Sequence, residues 1–288
     1  MDFNYYNMKS PLMLLLVVVF KQIDAARILA VFPIPSLSHQ VVFRPLIHEL
    51  AKRGHELVVI TTDTTYPDGN IHENVTELCF HDQSYQLWKE GFVNNINGGT
   101  TMQEILSNAF TTIIDIFEFQ LKTKEVQNLI KSNERFDLLL VEATLRSALV
   151  MSHVFKAPVI QISSFGTTVP TENAHGIPSH PILYPDMFSR RVYNLSILDK
   201  IELIYFKLRL KYMFWKLEEK DNSMIKRIFG PKAPDLNELS DNVGMLFVNM
   251  HRIWEGNRPV PPGVIHLGGL HITPDKPLPK ASIILYYF

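Results

Sequence analysis

Two side chains, His39 and Glu142, combine a useful chemical type with a useful position. His39 stands in the segment PIPSLSHQ, which follows a short apolar run at residues 27–32 and precedes apolar positions spaced for a helix. Glu142 ends a second apolar run, at residues 136–141. A free imidazole titrates near neutrality, so it can accept and return a proton. The positive amino end of a helix favours its neutral form. A carboxylate against the far ring nitrogen would fix the tautomer and stabilise the imidazolium formed on proton uptake. Each residue also has a plainer reading, His39 as a capping or loop histidine and Glu142 as an N-cap-like or surface carboxylate. His48 and His55 read as a helix-body and a turn histidine. Ser36 and Ser38 share the turn with His39, and a hydrolase using one of them with His39 is a further reading, but no Gly-x-Ser-x-Gly elbow accompanies them.

Other chemistries lack their residues. The turn at residues 32–40 contains no glycine, so a dinucleotide-binding fingerprint is absent. There is no His-Glu-x-x-His helix, and Cys79, the only cysteine, excludes an intrachain disulfide and any multi-cysteine metal site. A formal net charge of -1 over 288 residues leaves no broad basic field, which argues against nucleic acid and for a neutral or small-molecule substrate.

The elements that must position the pair read as an α/β, Rossmann-like doubly wound domain with a parallel sheet. Residues 27–32 predict a strand, 40–53 a helix stopped by Gly54, and 56–62 a strand apolar on both faces. That is a right-handed crossover unit. The same grammar returns with a strand at 136–141, a helix at 144–155 and a strand at 158–162, and ligands of such sheets gather at the carboxyl ends of the strands. Residues 103–129 predict one helix, and 94–100 a loop. Residues 166–190, with four prolines and no periodicity, read as a long ordered loop suited to touching a ligand. Residues 243–249 and 264–267 predict two closing strands, and Gly268-Gly269 a turn.

The segment 197–220 is apolar, aromatic and basic at once. It predicts either an interfacial helix lying on a membrane surface or a core helix whose lysines snorkel to water, and the second reading is preferred. At the start of the chain, Lys9, an apolar run of about nine residues at 12–20 and the pair Ala25-Ala26 have the order of a signal peptide cleaved near Ala25. Asn74-Val75-Thr76 and Asn194-Leu195-Ser196 are glycan acceptor sequons compatible with a secretory route.

Residues 26–63, ARILAVFPIPSLSHQVVFRPLIHELAKRGHELVVITTD, closely resemble the opening of animal UDP-glycosyltransferases, particularly the insect branch. FDLLLVEA at 136–143, Ser179-His180-Pro181, Tyr184-Pro185-Asp186 and VIHLGGLHI at 264–272 agree in order. The resemblance implies the N-terminal half of a GT-B fold, two facing Rossmann-like halves with the acceptor held here and the UDP-sugar held mainly by the other half. It implies that His39 is the catalytic base and that Glu142 stands where vertebrate members carry an aspartate paired with it. Ser36, Ser38 and His180 are its expected acceptor contacts. The implied reaction is inverting transfer of a hexose or glucuronosyl group to a small lipophilic acceptor, with the UDP-sugar as co-substrate and no metal or redox cofactor.

The expected organisation is a signal at 1–25, an acceptor-binding domain at 26–280 and an aberrant tail, ASIILYYF, at 281–288, with the donor domain and its membrane anchor outside this chain. The expected location is the endoplasmic reticulum lumen or the exterior. Such a half would be inactive alone, or would act as a lipophile-binding or regulatory partner in hetero-oligomers with full-length relatives.

Overall fold

In the computed structural model, residues 25–96, 100–189, 193–256 and 258–272 are described. The signal-like run at 12–20 and the tail at 281–288 lie outside them. Among the described residues seven strands form one sheet in the order β3-β2-β1-β4-β5-β6-β7, with every pairing parallel. They are β1 (Arg27–Phe32), β2 (Glu56–Thr61), β3 (Val75–Cys79), β4 (Leu138–Glu142), β5 (Val159–Ser163), β6 (Val243–Val248) and β7 (Val264–His266). The chain winds outward from β1 to β3, then returns to place β4 on the other side of β1. That reversal is the topological switch point.

The unbroken apolar runs of the inner strands follow from burial on both faces. Ile28, Ala30 and Phe32 of β1 point to the face covered by α1 (Leu37–Lys52), where Phe32 stacks on Phe43 with centroids 4.0 Å apart. Leu29 and Val31 point to the opposite face, which is covered chiefly by α3 (Met102–Lys122), following the short polar α2 (His81–Gly91), and by α7 (Ile197–Phe229). Between those two long helices come α4 (Lys124–Lys131), α5 (Val150–Phe155) and α6 (Val169–Ala174), and α8 (Leu236–Ser240) follows them.

Several expectations need correction. The helix expected at 103–129 is two, because Thr123 leaves the helical region at ψ 152° and its side chain caps the Val126 N–H of α4. Residues 144–155 open as a turn and a 3-10 segment before α5. The 166–190 loop contains α6. The helix expected to stop at 220 continues to Phe229, since Met224 and Ile225 are buried beyond the charged stretch. Its Lys207 does not snorkel: it is buried between Glu172 and Asp186.

Candidate active site

The turn after β1 is held by buried amides. Gln40 donates from Nε2 to the carbonyls of Phe32 (2.9 Å) and Ile34 (3.1 Å) and accepts from Thr61 Oγ1 at 3.0 Å. Gln120 of α3 donates to the Pro33 carbonyl at 3.0 Å. Carbonyls of a proline-rich turn that would be orphaned in the interior are thus satisfied by side chains. The turn then hands the chain to α1 at Ser36, whose carbonyl accepts from the His39 and Gln40 N–H groups. The Ser36 side chain makes no cap; its hydroxyl meets that of Ser38 at 2.9 Å.

His39 lies in the first turn of α1, and its Nδ1 is hydrogen-bonded to Oε1 of Glu142, the last residue of β4. The Glu142 side chain is fully buried, whereas that of His39 keeps 16% of its surface. Because Val31 pairs with Val141, the ends of β1 and β4 lie side by side at the switch point. The plainer reading of Glu142 falls, since the carboxylate is neither a cap nor at the surface. With Nδ1–H donating to Glu142, the other ring nitrogen, Nε2, carries the lone pair that can take a proton. A third adjacent strand end contributes Ser164, directly after β5, with Oγ 3.1 Å from Nδ1, and Phe165 sets its ring edge-on to the imidazole at 5.3 Å. Glu142 Oε2 is buried without a hydrogen-bond partner among the described residues.

The end of β2 adds a polar rim. Tyr85 of α2 donates to Asp63 Oδ2 at 2.9 Å. Burial, then the Asp63 hydrogen bond and charge, push this phenol up to about 12. His81 Nδ1 stands 3.4 Å from the other Asp63 oxygen.

The remaining expected site residues make no hydrogen bond with His39 or Glu142. His180 is exposed, and its Nδ1 accepts the Ile182 and Leu183 N–H groups at 3.2 and 3.0 Å, closing its own turn. Asn74 is half-buried before β3, and Asn194 is exposed just before α7. The loop carrying His180 is tied down by a buried ion cluster. Glu172 meets Arg258 Nη1 at 2.9 Å and Lys207 Nζ at 3.2 Å, and Lys207 also lies 3.6 Å from Asp186. Burial pushes the Glu172 carboxyl up, but Arg258 and Lys207 outweigh it and hold it below its usual value. Asp186 is pushed up by burial despite Lys207. A cavity of about 670 Å³ lies between the start of α3 and the first turns of α7, with Met102, Phe188, Leu203, Tyr205 and Phe206 among its walls. No group of three His, Cys, Asp or Glu among the described residues could hold a metal ion.

Gln40, Gln120, Ser164 and Tyr85 were missed by sequence reasoning. Ser164 had a signal, since it follows a strand end at the same sheet edge as Glu142; the glutamines and Tyr85 had none.

Fold and pair together define a Rossmann-like domain with a hydrogen-bonded histidine–carboxylate pair at the switch point. The chain belongs to the UDP-glucoronosyl and UDP-glucosyl transferase family, whose model matches residues 27–285. It is 34% identical over 278 residues to an ecdysteroid UDP-glucosyltransferase of Spodoptera littoralis nuclear polyhedrosis virus, covering 93% of this chain and 54% of that protein. It is 35% identical over 265 residues to the protein of that name from Lymantria dispar multicapsid nuclear polyhedrosis virus, covering 90% and 52%. UDP-glucosyltransferase 2 of Dactylopius coccus is 28% identical over 264 residues, covering 89% and 50%. The chain therefore spans about half the length of the curated relatives it matches. Among solved structures, the glycotransferase of kitacinnamycin superposes with a TM-score of 0.47 at 14% identity, covering 85% of this chain and 51% of that one. An anthocyanidin 3-O-glucosyltransferase in complex with UDP gives 0.43 at 14% identity, covering 86% and 55%.

Proposed function

We propose that this chain is the acceptor-binding and deprotonating half of a UDP-glycosyltransferase of GT-B type. The observation that carries it is the His39–Glu142 pair at the switch point. His39 Nε2 removes the proton of an acceptor hydroxyl, and Glu142 stabilises the resulting imidazolium. The acceptor oxygen forms a bond to the anomeric carbon as the bond from that carbon to the UDP oxygen breaks, with inversion, and UDP leaves as the anion. The UDP-sugar is held mainly by a second Rossmann-like domain facing this one.

The acceptor is a small lipophilic alcohol or phenol. Ser36 and Ser38, beside His39, and His180, in the clamped loop, are its polar contacts. The names of the viral relatives make a steroid hydroxyl and UDP-glucose the pair to try first. Asn74 and Asn194 carry glycans in this reading, and the domain works in the lumen of the endoplasmic reticulum.

The test is glucoside formation, read by mass spectrometry, from UDP-glucose and an ecdysteroid. The chain is assayed alone and mixed with a separately expressed C-terminal half of a relative, beside a His39→Ala variant. Transfer that falls about a thousandfold in the variant supports the reading. Transfer indifferent to His39, or no acceptor binding to the folded chain, ends it.

A further inference from the structure

Helix α7 has two apolar faces. Leu203, Leu210, Met213, Phe214, Leu217, Met224 and Ile225 are buried in the core. Ile197, Leu198, Ile201, Ile204, Tyr205, Leu208, Tyr212 and Trp215 are exposed, by 43% at Ile204 to 75% at Leu198. At 3.6 residues per turn these exposed side chains fall in a single sector of about 120°, opposite the inner face, and run about 27 Å along the helix. A stripe of that size on a soluble surface marks a docking face.

The borders of the stripe identify what it meets. On the same helical wheel Lys200 and Lys211 border it on one side; the other border is mixed, with Arg209 beside Glu202 and Lys216 paired with Glu219 at 3.0 Å. Lys216 lies 4.4 Å from the Trp215 ring centroid, and the Arg209 guanidinium lies 5.8 Å from that of Tyr205. A second copy packed along this face would gain no opposite charge at the Lys200/Lys211 border. An anionic lipid surface would neutralise Lys200 and Lys211, take the aliphatic residues below its headgroups, and hold Tyr205, Tyr212 and Trp215 at the depth where such rings collect. No described helix is long and apolar enough to cross a membrane.

We propose that the outer face of α7, Ile197 to Trp215, docks the domain flat on an anionic phospholipid surface. The buried Lys207 does not take part, being held by Glu172 and Asp186. The proposal is independent of the glycosyl-transfer reading.

The experiment is vesicle flotation of the full chain with phosphatidylcholine, with and without phosphatidylserine, at low and high salt. Ile201→Gln/Leu208→Gln and Lys200→Glu/Lys211→Glu variants are compared with it, after circular dichroism has shown all three folded. Because the apolar run at residues 12–20 can itself meet lipid, the informative quantity is the difference between chains that share it. Near an anionic surface each Lys or Arg adds about fivefold to partitioning, so the charge variant should lose at least about twenty-five-fold on mixed vesicles. The Gln variant should lose about tenfold or more on burial grounds. Brominated lipid should quench the fluorescence component that Trp215→Phe removes. Partitioning unchanged in either double variant, or a Trp215 component that brominated lipid leaves unquenched, overturns the proposal. So does a dimer in sedimentation that Ile201→Gln/Leu208→Gln dissociates while wild type ignores vesicles, which would give the face to a second copy.

Discussion

Glu142 acts on His39 through one hydrogen bond, so its charge and its geometry can be separated. Glu142→Gln keeps the shape and a possible contact to Nδ1 but removes the negative charge that balances the imidazolium. Transfer is expected to fall by about a hundredfold or more with the acceptor KM little changed, measured in the two-half assay. An equal loss from KM alone would make Glu142 a packing residue. Tyr85 offers a test independent of activity. Its phenol, held up at about 12 by burial and Asp63, stays neutral long after exposed tyrosines ionise, and an ultraviolet difference titration should show a late step that Tyr85→Phe abolishes. His39 and Glu142 were legible because each sits where an apolar run stops, and strand ends of a parallel sheet share an edge. Gln40 and Gln120 were not. Their type is common, and the Gln120 partner at Pro33 is 87 positions away, so only the packed structure reveals that both exist to satisfy one turn.

The strands buried on both faces announced themselves as apolar runs, and the order of the core elements followed. The elements that escaped have weaker patterns. Strand β3, VTELC, lies at the sheet edge with only Val75 fully buried, and α2 buries only Ser84 completely. Neither displays an apolar period. The clamp on the 166–190 loop was equally hidden, because Glu172 and Asp186 within it, Lys207 of α7 and Arg258 are far apart in the chain and read as solvated charges until burial is known. Lys207→Met should expose how much that clamp matters. Removing the cation leaves Glu172 and Asp186 buried with Arg258 alone to offset them, and breaking a buried pair costs about 3–5 kcal/mol. A drop of that size in denaturant-measured stability is expected, and a neutral result would mean the cluster hydrates readily.

Stability of the whole domain should depend on pH through Asp221 of α7. Burial first, only partly offset by Ser147 and Arg146, pushes its carboxyl from the usual 3.8 up to about 7. Between those values the folded chain holds a proton that the unfolded chain has released, so stability falls as pH rises across the window and levels off above it. Asp221→Asn cannot ionise and should escape that fall. Its melting temperature should match wild type near the lower bound and exceed it above neutrality, by a difference equivalent to at most about 4 kcal/mol. Parallel melting curves at every pH would show that Asp221 ionises without penalty.

The same sheet has a consequence for how the chain is made. His39 leaves the ribosome 103 residues before Glu142 and 125 before Ser164. At roughly 5–20 residues per second those are intervals of roughly 5–25 s. During it β1, β2 and β3 can pair while the other edge of β1, Leu29 and Val31 included, waits without a neighbour. A nascent chain with such an open apolar edge is exposed to misassociation, and the His39–Glu142 pair comes into being only when β4 closes that edge.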